Sequence, residues 1–517
     1  MDTVFSGILV RTGQIAIESS STLVIGIFVA AVMKRMLGSE GTRRLFGGEG
    51  LKGLFRAWLI GSLLPVCSLG VIPVAREMKR AGVPPATILA FVLAAPQLNP
   101  LSFLYGLTLS EPLIIISFVI GTMAISIAGG EIWKRYFELE SERSIPPDEP
   151  LPAKGIKRLL SVVWSAALEA VGPSVPYVGT GIFFTGLLAG LIPHGALSLT
   201  MRHDQWHSPL IMLLLGIPAY SGVLPGMMRV GLIFDHGNSV GAAYILFEMG
   251  VGMNLGLLAW MAIAFGVRRV FVWFAWIVVM VLLFAYGVEY PLYFAHEEAS
   301  HTHAFDEWSC PFPAGAPVDF VMIRNRLMEK IEVLEPLAIL ALLGLSILGL
   351  AIPRLVAPNK IEDWLTKKDE VRDPTSFNRW DMDVPGPVLG LAALVGLVVF
   401  SVVGLYVYYP NAKEAFAEIV RTRTEAMSAV RSGNKEEAIR QIRHLDLLTR
   451  KVQVGVFLRE FTWDPQVAKK TEGYREGLEE LRDALLAGDQ EGANKLVPNI
   501  EASYRVFRDA FIGEKND

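Results

Sequence analysis

Apolar positions along the chain are gathered into blocks of roughly twenty residues, the length at which a helix crosses the ~30 Å hydrocarbon core of a bilayer. Charged or turn-rich segments separate these blocks. The pattern predicts an all-α integral membrane protein whose first partner is the lipid bilayer. The predicted blocks are 14–33, 57–75, 84–109, 112–133, 173–193, 209–226, 240–265, 270–290, 333–352 and 386–408.

The pattern changes at the end of the last block. Residues 410–517 are rich in Glu, Lys, Arg and Ala, with helical periodicity and no apolar run of membrane length. A segment around Gly433 recurs around Gly488, and in both copies the next residue is a favourable helix N-cap. Two such helical hairpins predict a soluble four-helix bundle. Its expected role is that of a spacer or of a contact surface for a protein partner.

The membrane part contains an internal repeat. The segment 69–73 (LGVIP) recurs at 221–225 (SGVLP), and Asn99 recurs as Asn254. Repeats are a common construction of secondary transporters. The resulting domain prediction is membrane repeat 1 (1–133), cytoplasmic linker (134–158), membrane repeat 2 (159–293), extracytoplasmic His-containing loop (294–330), two additional transmembrane helices with a cytoplasmic linker (331–409) and the soluble helical domain (410–517).

Charge predicts how the two copies are oriented. Lys and Arg are concentrated at 34–56, 76–80 and 134–158, and the positive-inside rule assigns all three segments to the cytoplasm. The block 57–75 must then enter the membrane and return, so that repeat 1 makes three crossings and repeat 2 is inverted. The prediction is eight crossings of the inner membrane, both termini outside, and opposed re-entrant hairpins at 57–75 and 209–226. If both hairpins cross fully, the count is ten and the repeats are parallel.

Bulk composition excludes several classes of protein. Apolar residues make up 52% of the 517, and the net charge of −4 argues against a nucleic-acid partner. The two cysteines, Cys67 and Cys310, do not form a disulfide framework. The first apolar block lacks a basic leader and a cleavage site, so it is interpreted as a retained helix. No Walker loop, nucleophile elbow or cofactor motif occurs, which predicts neither an enzyme nor a bound cofactor.

The first candidate site is the tip of each hairpin. A helix broken at membrane depth leaves backbone groups that protein, water or a solute must satisfy, and transporters bind their solutes there. A thiol at the tip is a ligand for a soft metal or metalloid. The alternative is that the small residues serve close packing and the thiol is a small buried apolar group. The candidates are Cys67, Ser68, Gly70, Pro73, Gly222 and Pro225.

Two further candidates lie inside apolar blocks. Pro96, Asn99 and Pro100 interrupt a helix, and Asn99 is expected to face its repeat mate Asn254; the alternative is hydrogen bonding that only joins helices.

A carboxylate within an apolar helix is costly, so Glu248 is a candidate proton carrier for coupled transport. The alternative is a structural ion pair with Arg229. Glu18 and Glu169 are weaker candidates because they are expected near helix ends.

The predicted outer loop carries transition-metal ligand types at His296, His301, His303 and Cys310. The first two histidines are five positions apart, which does not match the zinc-helix motif with its four-residue spacing. An ordinary solvated loop is the favoured interpretation, and metal binding is the alternative.

Segments 64–75 (LPVCSLGVIPVA), 80–84 (RAGVP) and 90–100 (AFVLAAPQLNP) resemble the bacterial ArsP-like predicted permeases, with a likeness over about residues 1–290. The resemblance implies an inner-membrane permease. Characterised relatives export trivalent organoarsenicals, with motif cysteines proposed to bind the arsenic. By this resemblance Cys67, Gly70, Pro73, Pro96 and Asn99 are the inherited site candidates.

The chain departs from that pattern at Leu69, where many relatives have a second cysteine. One soft ligand binds a metalloid more weakly than two, which favours a different solute. The leading hypothesis is a gradient-driven permease for a small molecule or ion, with a metalloid, a metal or an organic anion as the solute. The alternative is a membrane anchor or receptor whose outer domain recruits a partner.

Overall fold

The computed structural model divides the chain into two compact units, the first running to Val399 and the second consisting mainly of Phe400–Asp517. Each is described by itself. The structure describes residues 3–48, 50–100, 102–103, 106, 112–138, 156–197, 200–203, 205–235, 238–293, 308–313, 315, 318–328, 331, 334–366, 388, 391–392, 395–396, 399, 409, 412–460 and 464–512.

Throughout these described residues the fold is helical, and no strand is present, which confirms the all-α prediction. In chain order the helices of the first unit are α1 (Thr3–Val32), α2 (Gly38–Phe46), α3 (Leu51–Leu63), α4 (Val71–Arg80), α5 (Pro85–Ala94), α6 (Pro112–Tyr136), α7 (Ile156–Ala170), α8 (Val175–Leu191), α9 (Ser208–Gly216), α10 (Val223–Asp235), α11 (Val240–Ile245), α12 (Leu255–Phe265), α13 (Val267–Glu289), α14 (Phe320–Met328), α15 (Leu334–Leu355) and α16 (Pro358–Thr366). The second unit contains α17 (Ala412–Arg431), α18 (Lys435–Glu460), α19 (Pro465–Ala487) and α20 (Gln490–Ile512).

Several of these helices are long and apolar enough to cross a membrane. Within the described residues, four helical segments pass on length and composition: Thr3–Phe46, Leu113–Tyr136, Val267–Glu289 and Glu335–Leu355. Two bent pairs, α7 with α8 and α11 with α12, raise the number to six if each pair is one span. The predicted crossing at 84–109 begins with the shorter apolar helix α5, and most of the predicted crossing at 386–408 lies outside the described residues.

Both predicted hairpins are broken helices. In the first, α3 ends at Leu63 and α4 begins at Val71; in the second, α9 ends at Gly216 and α10 begins at Val223. Pro65 and Pro218 lie in the two breaks, where the missing N–H and the ring prevent the helix from continuing. Each break therefore places several residues of non-helical backbone inside an apolar segment.

A second pair of breaks lies in the blocks 84–109 and 240–265. Helix α5 ends at Ala94, just before Pro96. Helix α11 loosens into a π-helix, Leu246–Val251, before α12 begins. A π-helix widens the backbone ladder and is frequent at functional sites. The prediction that Pro96 interrupts the helix is confirmed.

Helix α1 is longer than the predicted block 14–33. Arg11 and Gln14 lie within it because carbonyl oxygens from distant chain segments satisfy them: Arg11 Nε donates to Ser309 O at 2.8 Å, and Gln14 Nε2 to Arg326 O at 2.7 Å. The expectation that Glu18 lies near a helix end is therefore wrong, since it is the sixteenth of 30 residues. Glu169, one position before the end of α7, is near a helix end as expected.

The second unit has its own hydrophobic core, formed by the inward faces of α17, α18, α19 and α20. Asp446 on α18 pairs with Arg450 and Arg475 at 3.1 and 2.8 Å. Burial acts to raise the pKa of this carboxyl, but the two guanidinium groups outweigh it and hold the pKa at about 2.

Replacing Asp446 by Asn is expected to loosen this unit by about 1–2 kcal/mol. The lowered pKa means that the carboxylate stabilises the fold fully above its ordinary pKa of about 4 and loses this effect as the pH falls towards 2. A third of the side chain stays exposed (32%), which reduces the effect through solvent screening. Amide hydrogen exchange of α18 and α19 in the full chain at neutral pH should rise about 5–30-fold. Asp509→Asn, in an exposed pair with Arg508, is the control and should leave exchange unchanged.

Candidate functional site

The tips of the two broken hairpins meet the same helix near its middle. Gly70, at the first tip, packs so closely on α1 that a methyl group on Gly26 would lie 2.8 Å from Gly70 Cα, and a methyl group on Gly70 would lie 2.7 Å from Thr22 O. Gly222, at the second tip, donates its N–H to Glu18 Oε1 at 3.3 Å. The two tips therefore converge on the segment 18–26 of α1.

Polar side chains are gathered where the tips converge. The Gly70 N–H donates to Cys67 Sγ at 3.3 Å, and the buried Tyr220 hydroxyl faces Cys67 and Thr22. Arg229 Nη1 donates to Ser221 Oγ at 2.6 Å. Polar groups from segments 67–70 and 220–229 thus lie near the buried thiol, and its role as a ligand stays a prediction.

The second pair of breaks adds an amide and a carboxylate to this layer. Gln97, in the break after α5, donates through Nε2 to the backbone oxygen of Glu248 at 3.2 Å. The Glu248 carboxylate accepts a long hydrogen bond, 3.5 Å, from the Tyr244 hydroxyl. The alternative of a structural pair between Glu248 and Arg229 stays a prediction; Arg229 donates to Ser221 Oγ. Glu248 is thus a fully buried carboxylate contacted by an amide and a phenol hydroxyl.

Asn99 and Asn254, which correspond to each other in the sequence repeat, each cap the start of a helix. Asn99 Oδ1 accepts from the Ser102 N–H at 2.7 Å, and Asn254 Oδ1 accepts from the Leu257 N–H at 2.9 Å. Each asparagine caps the helix that resumes after a break. Pro100 follows Asn99 at the first helical position, where a backbone N–H would have no partner within the helix. The expected meeting of the two asparagines stays a prediction.

Further contacts join the hairpin tips to the second pair of breaks. The Ser221 N–H donates to Gly250 O at 2.9 Å. A methyl group on Gly181 would lie 2.6 Å from Leu69 Cδ2 and 2.7 Å from Asn254 Oδ1, so all three groups meet there. The four breaks consequently form one continuous polar layer, called here the central layer and defined by residues 67–70, 97–99, 219–222 and 248–254.

Several buried polar atoms of the central layer have no hydrogen-bond partner among the described residues. An unpaired buried polar atom costs about 1–3 kcal/mol, so such atoms are normally rare. Such atoms also occur elsewhere in the described residues, at Ser126 and Glu131 for example, but in this layer they come from all four breaks, where water or a solute can supply their partners. The atoms are Ser68 Oγ, Gln97 Oε1, Tyr220 Oη, Glu248 Oε1 and Asn254 Nδ2.

One aromatic side chain from the segment 308–313 covers the layer. Trp308 is buried, packs over the guanidinium of Arg229 at 5.5 Å, and lies 3.0 Å from where a methyl group on Gly250 would be. Hydrogen bonds fix the segment, since Ser309 O accepts from Arg11 and the Cys310 N–H donates to Ile192 O at 2.8 Å. The segment is thus a firmly held cover over one side of the central layer.

The metal candidates divide into two sets. His296, His301 and His303 lie outside the described residues. Cys310 is buried as a free thiol that packs against Gly7. Within the described residues no group of three His, Cys, Asp or Glu side chains is placed to hold a metal ion.

Four residues of the site were missed or undervalued by sequence reasoning: Glu18, Gln97, Tyr220 and Trp308. Glu18 and Gln97 carried a usable signal, because a carboxylate or amide inside an apolar block needs a partner. The sequence gives no comparable signal for Tyr220 and Trp308, since aromatic residues are common in membrane helices and loops.

A helical chain with several apolar membrane-length helices and paired breaks at one layer is typical of a multi-pass membrane transporter. Residues 5–290, more than half of the chain, match the model of a family described as predicted permeases (ArsP_1), and the protein belongs to that family. This confirms the resemblance inferred from the hairpin motif.

Among curated proteins the chain is similar to the UPF0718 protein YcgR of Bacillus subtilis (strain 168). The two are 23% identical over 275 residues, which cover 52% of this chain and 92% of YcgR. No solved structure matches the chain. The central layer lies within the family match, whereas Trp308 and the second unit lie beyond it.

Proposed function

We propose that this protein is an inner-membrane permease that moves a small solute through the central layer by a gradient-driven mechanism. The observation that carries the proposal is the set of unpaired buried polar atoms that all four breaks contribute to the central layer. In a protein that only anchors a partner, unpaired polar groups at this depth would lower stability without a compensating function. A permease does, because its solute satisfies them during passage.

The two repeats supply opposite walls of the path in this proposal. The tip Cys67–Gly70 and Gln97 come from repeat 1, and the tip Ala219–Gly222 and Glu248 come from repeat 2. Inversion of the repeats would let the hairpins open alternately to the two sides of the membrane. Pro73 and Pro225 lie in the first turns of α4 and α10, the helices that follow the two tips.

Glu248 is the coupling group of the proposal. One carboxylate oxygen is held by Tyr244 and the other has no partner in the described structure, so the group is free to take up and release a proton. A proton bound there on one side of the membrane and released on the other drives the solute against its gradient. The second unit, assigned to the outer side by the charge rule, serves as a spacer or partner surface.

Glu248→Gln is expected to lower solute flux about tenfold or more, equivalent to ~1.4 kcal/mol, with the fold retained. It should also abolish the dependence of flux on a pH gradient. The measurement is uptake of a panel of metalloid, metal and organic-anion solutes into inverted vesicles. Glu131→Gln is the matched control, because Glu131 on α6 also has an unpaired buried oxygen but lies outside the central layer, and it should transport as the native chain does.

Thiol variants distinguish the permease from an anchor. Cys67→Ser should reduce flux, whereas Cys310→Ser, the other buried free thiol, should not. Uptake equal to that of empty vesicles for every solute, with native protein correctly folded, would refute the permease and favour the anchor or receptor function.

A further inference from the structure

A polar layer interrupts the hydrophobic core of the second unit about halfway along its helices. On α20, for example, Tyr504 lies between the buried Ile500 and Phe507 on the same face. This layer is called here the tyrosine–arginine layer. Its members are Arg423 on α17, Asp446 and Arg450 on α18, Tyr474 and Arg475 on α19, and Glu501 and Tyr504 on α20.

Ring and charge contacts hold the tyrosine–arginine layer together. The guanidinium of Arg423 lies 4.2 Å from the centroid of the Tyr504 ring, and the rings of Tyr504 and Tyr474 are 5.7 Å apart. The Tyr474 hydroxyl is near enough to both Arg423 and Asp446 for their charges to act on its pKa. The side chains of the four helices therefore form one cluster.

Both carboxylates of the layer already have arginine partners. Asp446 accepts from Arg450 Nε at 3.1 Å and from Arg475 Nε at 2.8 Å. Glu501 forms an ion pair with Arg423. These pairs do not use every donor that the arginines bring into the core.

Four buried polar atoms of the layer lack a hydrogen-bond partner in the part of the chain that the structure describes. Each helix of the second unit supplies one of them, and all four can donate a hydrogen bond. Two belong to fully buried rings and one to a guanidinium that is only 5% exposed. The atoms are Arg423 Nε, Arg450 Nη1, Tyr474 Oη and Tyr504 Oη.

The two hydroxyls act as donors at neutral pH. Burial raises the pKa of Tyr474 and of Tyr504 and outweighs the opposing effect of Arg423. Both phenols consequently keep their protons, and a guanidinium can only donate. Unpaired donors in a core are costly and uncommon, so a layer with one from every helix calls for a partner that brings acceptor atoms.

A small oxyanion has the chemistry that these four donors require. A carboxylate offers two oxygens with about four acceptor positions, and its charge and planar shape match a guanidinium. A water molecule is a poorer match, because its own two hydrogens would need acceptors as well. Helical bundles commonly build ligand sites in their cores from side chains on facing helices.

We propose that the tyrosine–arginine layer is a binding site for a small planar oxyanion, such as a short-chain carboxylate. The four unpaired donors hold the anion, so that bound anion joins α17, α18, α19 and α20. The site lies beyond the residues that match the permease family, and its existence does not depend on the proposed transport function.

Amide hydrogen exchange of the second unit, measured in the full chain in detergent, tests the proposal. Formate, acetate and nitrate are each compared with gluconate at the same ionic strength, because gluconate is too large for a close-packed core. A binding anion at about ten times its dissociation constant should slow exchange in α18, α19 and α20 about tenfold. Exchange equal to that in gluconate for all three anions would overturn the proposal, whatever the flux tests show.

Tyr474→Phe separates a ligand site from a structural polar layer. It removes one donor and keeps the ring that stacks on Phe507 at 5.1 Å. In gluconate the variant should exchange at the native rate or more slowly, because an unpaired buried hydroxyl is lost. The slowing by the small anion should disappear. Faster exchange in gluconate would show that the hydroxyl has a structural partner, and retained slowing would reveal a general salt effect; either result overturns the proposal.

Arginine variants on α18 provide a second comparison. Arg450→Gln should also abolish the slowing by the anion, since it removes the buried Nη1 donor. Arg440→Gln is the control, because the Arg440 side chain is 74% exposed and pairs only along the helix surface with Glu437. It should retain the tenfold slowing. Equal loss of slowing in both variants would contradict a site inside the core.

Discussion

Replacement of Gly26 by Ala is expected to abolish transport and to destabilise the protein by about 3 kcal/mol or more. The added methyl group would lie 2.8 Å from Gly70 Cα and nearer still to the Gly70 carbonyl group. The obstructing atoms are backbone, which no side-chain rotation can move aside. The first hairpin tip must therefore leave α1, and the central layer is disrupted with it.

The measurement combines thermal unfolding of the protein in detergent with vesicle uptake. Gly179→Ala is the matched control, because nothing lies within 4 Å of a methyl group at that position on α8. It should unfold at the native temperature or slightly above, since Ala favours a helix over Gly. A Gly26→Ala protein with native stability and native flux would show that the tip does not rest on α1.

Much of the fold could be predicted because its signals are local. The length of an apolar run is a property of consecutive residues, and Pro65, Pro96 and Pro218 break helices through their own geometry. The family was likewise recognised from a short motif around Cys67. These conclusions needed no knowledge of which segments meet in space.

The remaining features depend on contacts between distant parts of the sequence. The predicted first block began at residue 14 and left out Arg11, whose partner Ser309 lies 298 positions away. Gln97 stood inside the recognised motif but was not chosen, since its partner, the backbone oxygen of Glu248, is 151 positions away. Glu18 was expected near a helix end because the predicted block began at residue 14, whereas α1 begins at Thr3.

Trp308→Ala is expected to expose Cys67 to reagents from the outer side, raising its rate of modification about tenfold or more. Trp308 covers Arg229 and Gly250, and its removal leaves a space that neighbouring side chains fill only in part. The segment 308–313 would remain attached through Arg11 and Ile192, so the opening is local. Solute flux should at the same time become less dependent on the driving gradient, because one side no longer closes.

The measurement is labelling of right-side-out vesicles with a membrane-impermeant thiol reagent, the modified cysteine being identified by peptide mass spectrometry. Trp308→Phe should stay closed, since an aromatic ring still fills the site. Trp273→Ala controls for general loosening, because Trp273 is equally buried but bonds to Gly129 O on α6, outside the central layer. Both alanine substitutions should lower the free energy of unfolding by roughly 3–5 kcal/mol, and both variants should therefore unfold at a lower temperature. Only Trp308→Ala should expose Cys67, and equal exposure in Trp273→Ala would show that Trp308 is an ordinary core residue and not a gate.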